Sequence, residues 1–82
     1  GYRPPPRTLP GFPDARRVPP KTPIPGGGKR ARWKEPDGTI YEWDYQHGTV
    51  EKYNPRGGHL GEFDSHSGRL LKPPRADRKV TP

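Results

Sequence analysis

Apolar and aromatic side chains are sparse along this chain, and their spacing changes once, near residue 28. From residue 29 to 72 they fall in five short runs, "RARWKE", "TIYEWDY", "TVEKY", "HLGEFD" and "RLLK". Short runs rich in β-branched and aromatic residues, with polar residues at alternate positions, are the signature of half-buried strands. Turn signals separate them: Pro36-Asp37-Gly38, "QHG", "NPRGG" and "SHSG". The pattern predicts a mainly β fold, a small and highly twisted antiparallel sheet of about five short strands, and no long helix.

Residues 1–28 follow another rule. Nine of the 14 prolines lie there, from "YRPPPRTLPGFP" to "KTPIPGGG". Proline lacks the backbone donor and fixes φ, so this stretch is neither helix nor central strand. It reads as a proline-rich, polyproline-II-like arm, a linker that ends at Gly26-Gly27-Gly28 and precedes a folded domain over 29–82. The alternative is that Tyr2, Leu9, Phe12 and Ile24 pin the arm onto a neighbouring surface. The tail "PPRADRKVTP" reads as a polar, basic loop.

Composition narrows the classes. With 82 residues, 24% of them hydrophobic, there is room for one small domain with a thin core. No cysteine is present, which removes disulfides and thiolate zinc sites. No apolar run is long enough for a membrane span or a signal-peptide core, so the domain is not expected to insert into a membrane. The first residue is Gly1, as in a fragment of a longer protein. Sixteen Lys and Arg against nine Asp and Glu give +7 and a pI near 10.2, which points to a polyanionic partner: nucleic acid, an anionic membrane or an acidic protein. No amphipathic helix supports the membrane option.

Against this basic background, "YEWDYQHGTVEKY" (41–53) gathers Asp44, His47 and Glu51. On a helix the three would share one face as a metal site, but Gly48 and the strand-favouring residues around it argue against a helix. As a hairpin with His47-Gly48 in a two-residue turn, Asp44 opposes Glu51 and His47 sits at the tip. One face then carries Glu42, Asp44, Gln46, Thr49, Glu51 and Tyr53, the other Trp43, Tyr45, Val50 and the stem of Lys52. Opposed carboxylates destabilise a strand pair and raise at least one pKa. Three readings stay open: catalysis, structural charge neutralised by Arg30, Arg32 or another cation, and a metal site.

Catalysis has one natural substrate here. RNA carries its own nucleophile, the 2′-OH, so its cleavage needs a base, an acid and a cation but no metal. Carboxylate, imidazole and arginine supply those parts. "KRARW" interleaves basic residues with an aromatic, as in surfaces that stack bases and hold phosphates, making Lys29, Arg30, Arg32 and Trp33 candidate RNA contacts; Trp33 is equally a candidate for the core. Arg69, Lys72, Arg75, Arg78 and Lys79 are further phosphate candidates. His59 and His66 lie near turns with no ligand spacing and read as surface residues. Two other classes compete: a non-catalytic RNA-binding module, and a proline-rich adaptor whose residues 1–28 are a ligand for aromatic grooves.

"PPKTPIPGGGKRARW", "IYEWDYQHG", "HLGEFD" followed by "SG", and "LKPPRADRKV" together resemble the cytotoxic C-terminal domain of the ribosome-inactivating colicins and cloacin, also found as the toxin domain of contact-dependent inhibition proteins and other polymorphic toxins. The resemblance implies an endoribonuclease that cuts 16S ribosomal RNA at the decoding site without metal or other cofactor. It implies the ribosome as substrate, an acidic cognate immunity protein as inhibitor, and a monomer apart from that complex. It implies delivery as part of a larger secreted or cell-surface toxin that acts in the target-cell cytoplasm. By position, Asp44, His47, Glu51 and Arg78 match the family's catalytic residues, with Glu51 as base, His47 as acid and Asp44 positioning, and Tyr2 matches a tyrosine near the site. Thr49 stands where the best-known members carry a further glutamate, and Tyr45 where they carry a small polar residue.

Overall fold

A computed structural model describes all 82 residues. The chain is all β, in six strands: β1 (Arg16–Val18), β2 (Arg32–Lys34), β3 (Ile40–Asp44), β4 (Thr49–Tyr53), β5 (His59–Phe63) and β6 (Leu70–Lys72). They form one open antiparallel sheet in sequence order. The five runs expected to be strands are β2 to β6. The sixth, β1, comes from the proline-rich segment: "RRV" is free of proline and ends on a β-branched residue, and it pairs with β2, Arg17 opposite Trp33.

Alternation gives the sheet two unlike faces. Trp33, Tyr41, Trp43 and Val50 project to one side and make the core with Leu9, Ala15 and Ala31, joined at its margin by Phe12, Tyr45 and Phe63. Leu9, Ala15 and Phe12 belong to residues 1–15, which lie across this apolar face as its cover. The cover is fixed by polar bonds as well as packing: the indole N–H of Trp43 donates to Arg3 O at 2.7 Å and that of Trp33 to Arg7 O at 3.1 Å. Of the four residues named for the pinned reading, Leu9 enters the core and Phe12 packs at its margin, while Ile24 is half-buried and Tyr2 is 68% exposed. The prolines suit the cover, because an extended chain without donors can cross a sheet face without leaving unsatisfied N–H groups.

The opposite face is polar. Arg32, Glu42, Asp44, Thr49, Glu51 and Glu62 stand on it, and five of these six are buried. The C-terminal tail shields part of it. Arg32 spends its guanidinium on Glu42 at 2.8 Å and on the carbonyls of Thr81 and Pro82. The tail is tied to the start of β5 by Val80 N–H to Gly57 O and His59 N–H to Arg78 O. That second bond places Arg78 at the rim of the polar face.

The β3–β4 hairpin corrects the two-residue turn. Asp44 pairs with Thr49 and Glu42 with Glu51, so the loop has four residues, 45–48, and Asp44 does not oppose Glu51. Both still share the polar face, because a register change of two residues leaves the facing unchanged. The physical reason is the Asp44 side chain. Its Oδ1 accepts the N–H groups of Gln46 and His47, and Gly48 N–H closes on Asp44 O at 2.8 Å. A type I′ turn would need positive φ at His47 as well as at Gly48; here Gly48 alone carries it, at φ 69°. Asp64 and Gly68 build the same loop in "DSHSG".

Candidate active site

Beneath the tail the polar face opens into a cleft of about 180 Å³, lined by Asp44, His47, Glu51, His59, Glu62 and, from the tail side, Lys72, Pro73, Arg75 and Arg78. No hydrophobic side chain lines it. The structure thus brings together the four residues singled out for catalysis, from β3, the β3–β4 loop, β4 and the tail.

Glu51 lies at the bottom, its side chain 2% exposed. It stands between two other glutamates, opposite Glu42 on β3 and opposite Glu62 on β5. Three carboxylates in a row on adjacent strands repel one another, and each has its own compensation. Glu42 has Arg32 and the Thr22 hydroxyl, Glu62 has the Thr49 hydroxyl and, loosely, Lys72. Glu51 has His59 at 2.7 Å and Arg78 at 3.6 Å, both on Oε1, while Oε2 has no hydrogen-bond partner. Burial raises its pKa above the ordinary glutamate value, and the His59 hydrogen bond and the Arg78 charge only partly offset this. A carboxylate so placed is a stronger base than a solvated one.

His47 is the exposed member, its side chain 55% exposed at the loop. Its Nδ1 meets Asp44 Oδ2 at 2.8 Å, which leaves Nε2 free toward solvent. Burial pushes the Asp44 carboxyl up, but the N–H groups of His47 and Gln46 and the His47 ring together hold it below the ordinary value. Asp44 therefore stays ionised and fixes the ring, the pairing that orients a histidine for proton transfer. At the rim, Arg78 donates through Nε to the Tyr53 hydroxyl at 3.1 Å. Burial works against its charge; the Tyr53 and Glu51 groups outweigh that and keep it a fixed cation.

Two members of the site were not legible in the sequence. His59, read as a surface residue, is buried on β5 beside Glu51. Its Nδ1 accepts the backbone N–H of Arg75 at 3.0 Å, so Nε2 carries the hydrogen donated to Glu51. Only the long-range pairing of β4 with β5 shows this, and position 59 gave no local signal. Glu62 comes from the same strand: its Oε2 accepts the Thr49 hydroxyl at 3.0 Å, so a carboxylate reaches the Thr49 rung from the neighbouring strand. His66 is exposed.

The residues proposed to touch RNA are divided by the fold. Lys29 is exposed, Arg30 half-buried, and Tyr2 68% exposed. Arg32 and Trp33 are buried, and this corrects the reading of "KRARW" as one surface. In a strand neighbours point to opposite faces. Arg32 enters the polar face to neutralise Glu42, and Trp33 enters the core, its indole N–H spent on Arg7 O and its ring covered by Arg17 at 5.1 Å. Neither offers a group to a ligand.

The family model described as Cytotoxic matches residues 3–81. The chain belongs to the Cytotoxic family. It is 46% identical to colicin E3 and 44% identical to cloacin, both from Escherichia coli, over 84 aligned positions that take in 96% of this chain. Colicin-E6, from the same organism, is 45% identical. This Cytotoxic chain spans 15% of the length of each of these relatives. The match takes in the proline-rich segment as well as the sheet, in keeping with the way residues 1–15 complete the core of the domain.

Proposed function

We propose that this chain is the toxin domain of a larger secreted or cell-surface protein and an endoribonuclease that cuts 16S ribosomal RNA at the decoding site. The observation that carries the chemistry is a buried carboxylate with one unpartnered oxygen, in the same cleft as an aspartate-held histidine and a fixed guanidinium. In this reading Glu51 Oε2 takes the 2′-OH proton, and the 2′ oxygen attacks the adjacent phosphorus. The Arg78 guanidinium balances the charge of the phosphorane. As the bond from phosphorus to the 5′ oxygen breaks, His47 Nε2–H protonates that oxygen, leaving a 2′,3′-cyclic phosphate and a 5′-OH. Asp44 holds His47, and His59 holds Glu51. The relatives' names, colicin and cloacin, support a toxin; the net charge of +7 supports an RNA substrate and equally an acidic immunity protein as inhibitor.

A second reading rests on Asp44, His47 and Glu62, which can each offer one ligand atom within 4.8 Å of the others. Incubating the domain with intact ribosomes, with and without EDTA, and mapping the RNA ends separates the two. A single cut near the 3′ end of the small-subunit RNA, unchanged by EDTA and absent from His47→Ala and Glu51→Ala, is the expected result. Loss of cutting on chelation favours the metal, and RNA left intact by the wild type rejects the nuclease.

A further inference from the structure

A second cavity lies on the other side of the Tyr45–Gly48 loop, at about 130 Å³, and the proton-transfer chemistry does not use it. Its walls combine the aromatic rings of Tyr2, Tyr45 and Trp43 and the cations Arg17, Lys29 and Arg30 with apolar proline, isoleucine and alanine side chains, and hold no carboxylate. The catalytic cleft differs in carrying three carboxylates beside its cations Lys72, Arg75 and Arg78, and no tyrosine or tryptophan ring. The Tyr2 and Tyr45 rings lie 5.9 Å apart at 34°, and the Arg30 guanidinium sits 5.5 Å from the Tyr45 ring. Tyr2 is 68% exposed, an aromatic ring held at the surface by no hydrophobic need of the fold. The volume is below the roughly 300–1,000 Å³ of a drug-sized ligand site, so it suits a single planar ring.

We infer that this cavity is a stacking pocket for one unpaired base of the RNA, the base of a nucleotide flanking the cut. The inference rests on the ribonuclease reading above and names how that substrate is held. Bases stack on tyrosine faces and on guanidinium planes, and the phosphates beside them need cations, which are the two groups present here. Continuity with the cleft comes from the shared loop. Arg3, the residue after Tyr2, donates its backbone N–H to Tyr45 O at 2.8 Å and its Nη1 to His47 O at 3.1 Å. Its side chain also lies against Gly48, where an added Cβ would be 2.8 Å from Arg3 Cδ. The same few residues therefore fix the stacking rings and the position of His47, so that a base stacked on the open face of the Tyr2–Tyr45 pair sets the register of the strand crossing the cleft. Polyanion attraction alone would not require paired rings; a base does.

The test uses a single-stranded oligonucleotide of the decoding-site sequence with 2-aminopurine placed in turn on either side of the cut, and protein silenced by His47→Ala. Binding should quench the fluorophore at one flanking position. Adding Tyr2→Ala should remove the quench and weaken affinity roughly 5- to 150-fold. Tyr45→Ser should act in the same direction, and Tyr2→Trp should restore both readouts. In otherwise wild-type protein, Tyr2→Ala should lower kcat/KM on ribosomes by a factor similar to its loss of affinity. Equal affinity and equal quench with and without Tyr2 would overturn the pocket while leaving the nuclease reading intact. Intact RNA after incubation with wild type would overturn the nuclease reading instead, and is read independently of the binding assay.

Discussion

Replacing His59 with alanine isolates the part of the site that only long-range strand pairing creates. His59 supplies the one hydrogen bond to Glu51, at 2.7 Å, because Arg78 at 3.6 Å is beyond hydrogen-bond distance and Oε2 has no partner. A hydrogen bond to a charged group contributes about 1.5–3 kcal/mol, so losing it disfavours the ionised form of Glu51 roughly 10- to 150-fold. The sign follows from the environment. Burial already raises the Glu51 pKa and the His59 bond works against that rise; without the bond the carboxyl stays protonated to higher pH, and the base is scarcer on the acid side. His59→Ala should therefore cut ribosomes roughly 10- to 100-fold more slowly on the acid limb of the pH–rate profile and recover as pH rises. Folding responds in the same sense. A carboxyl whose folded pKa is raised favours the fold below its unfolded pKa and ceases to do so as pH rises through the folded value. The stability lost by the variant, about 1–3 kcal/mol at neutral pH, should shrink toward pH 4. Single-turnover cleavage across pH, with urea unfolding at pH 4 and 7, reads both. His59→Gln, which retains an N–H donor, should recover part of the loss. A His59→Ala profile that scales onto the wild type at every pH would refute the reasoning, since damage to the fold alone has no reason to follow the Glu51 titration.

Three further outcomes follow from the same geometry. Glu51→Gln should abolish cleavage yet leave the domain as stable as wild type, or more stable by about 0.5–2 kcal/mol, because it removes the central charge of the Glu42–Glu51–Glu62 row; a large drop in the urea midpoint would contradict this. Arg78→Ala should lower kcat roughly 10²- to 10³-fold with little change in KM, since its guanidinium acts on charge that develops in the transition state; steady-state kinetics on ribosomes separate the two constants. Leu9→Ala should cost about 2–5 kcal/mol in chemical denaturation, because this residue is 1% exposed in the core despite lying in the proline-rich segment; a neutral result would restore that segment to the status of a linker.

The strand positions and the facing of their residues were legible along the chain, because both depend on local alternation and turn chemistry. The five runs from "RARWKE" to "RLLK" became β2 to β6, and Glu42, Asp44 and Glu51 fell on one face as alternation requires. Trp33 and Arg32 obeyed the same rule, which is why one of them entered the core and the other met Glu42 rather than both reaching the surface. The loop between β3 and β4 carried its own signal in the aspartate that opens "DYQHG" and again "DSHSG", since an aspartate oxygen that accepts two N–H groups favours the four-residue loop.

Which elements lie against one another was decided in three dimensions. No local pattern says that residues 1–15 cover the apolar face, that "RRV" adds an edge strand, or that the tail brings Arg78 over Glu51. Those contacts join residues far apart in sequence, and they form because a thin core must take its missing apolar surface, and a buried carboxylate its missing donors, from whatever part of the chain can reach. His59 is the plainest case: an imidazole beside a turn in the sequence becomes, through pairing of β4 with β5, the donor that holds the proposed base.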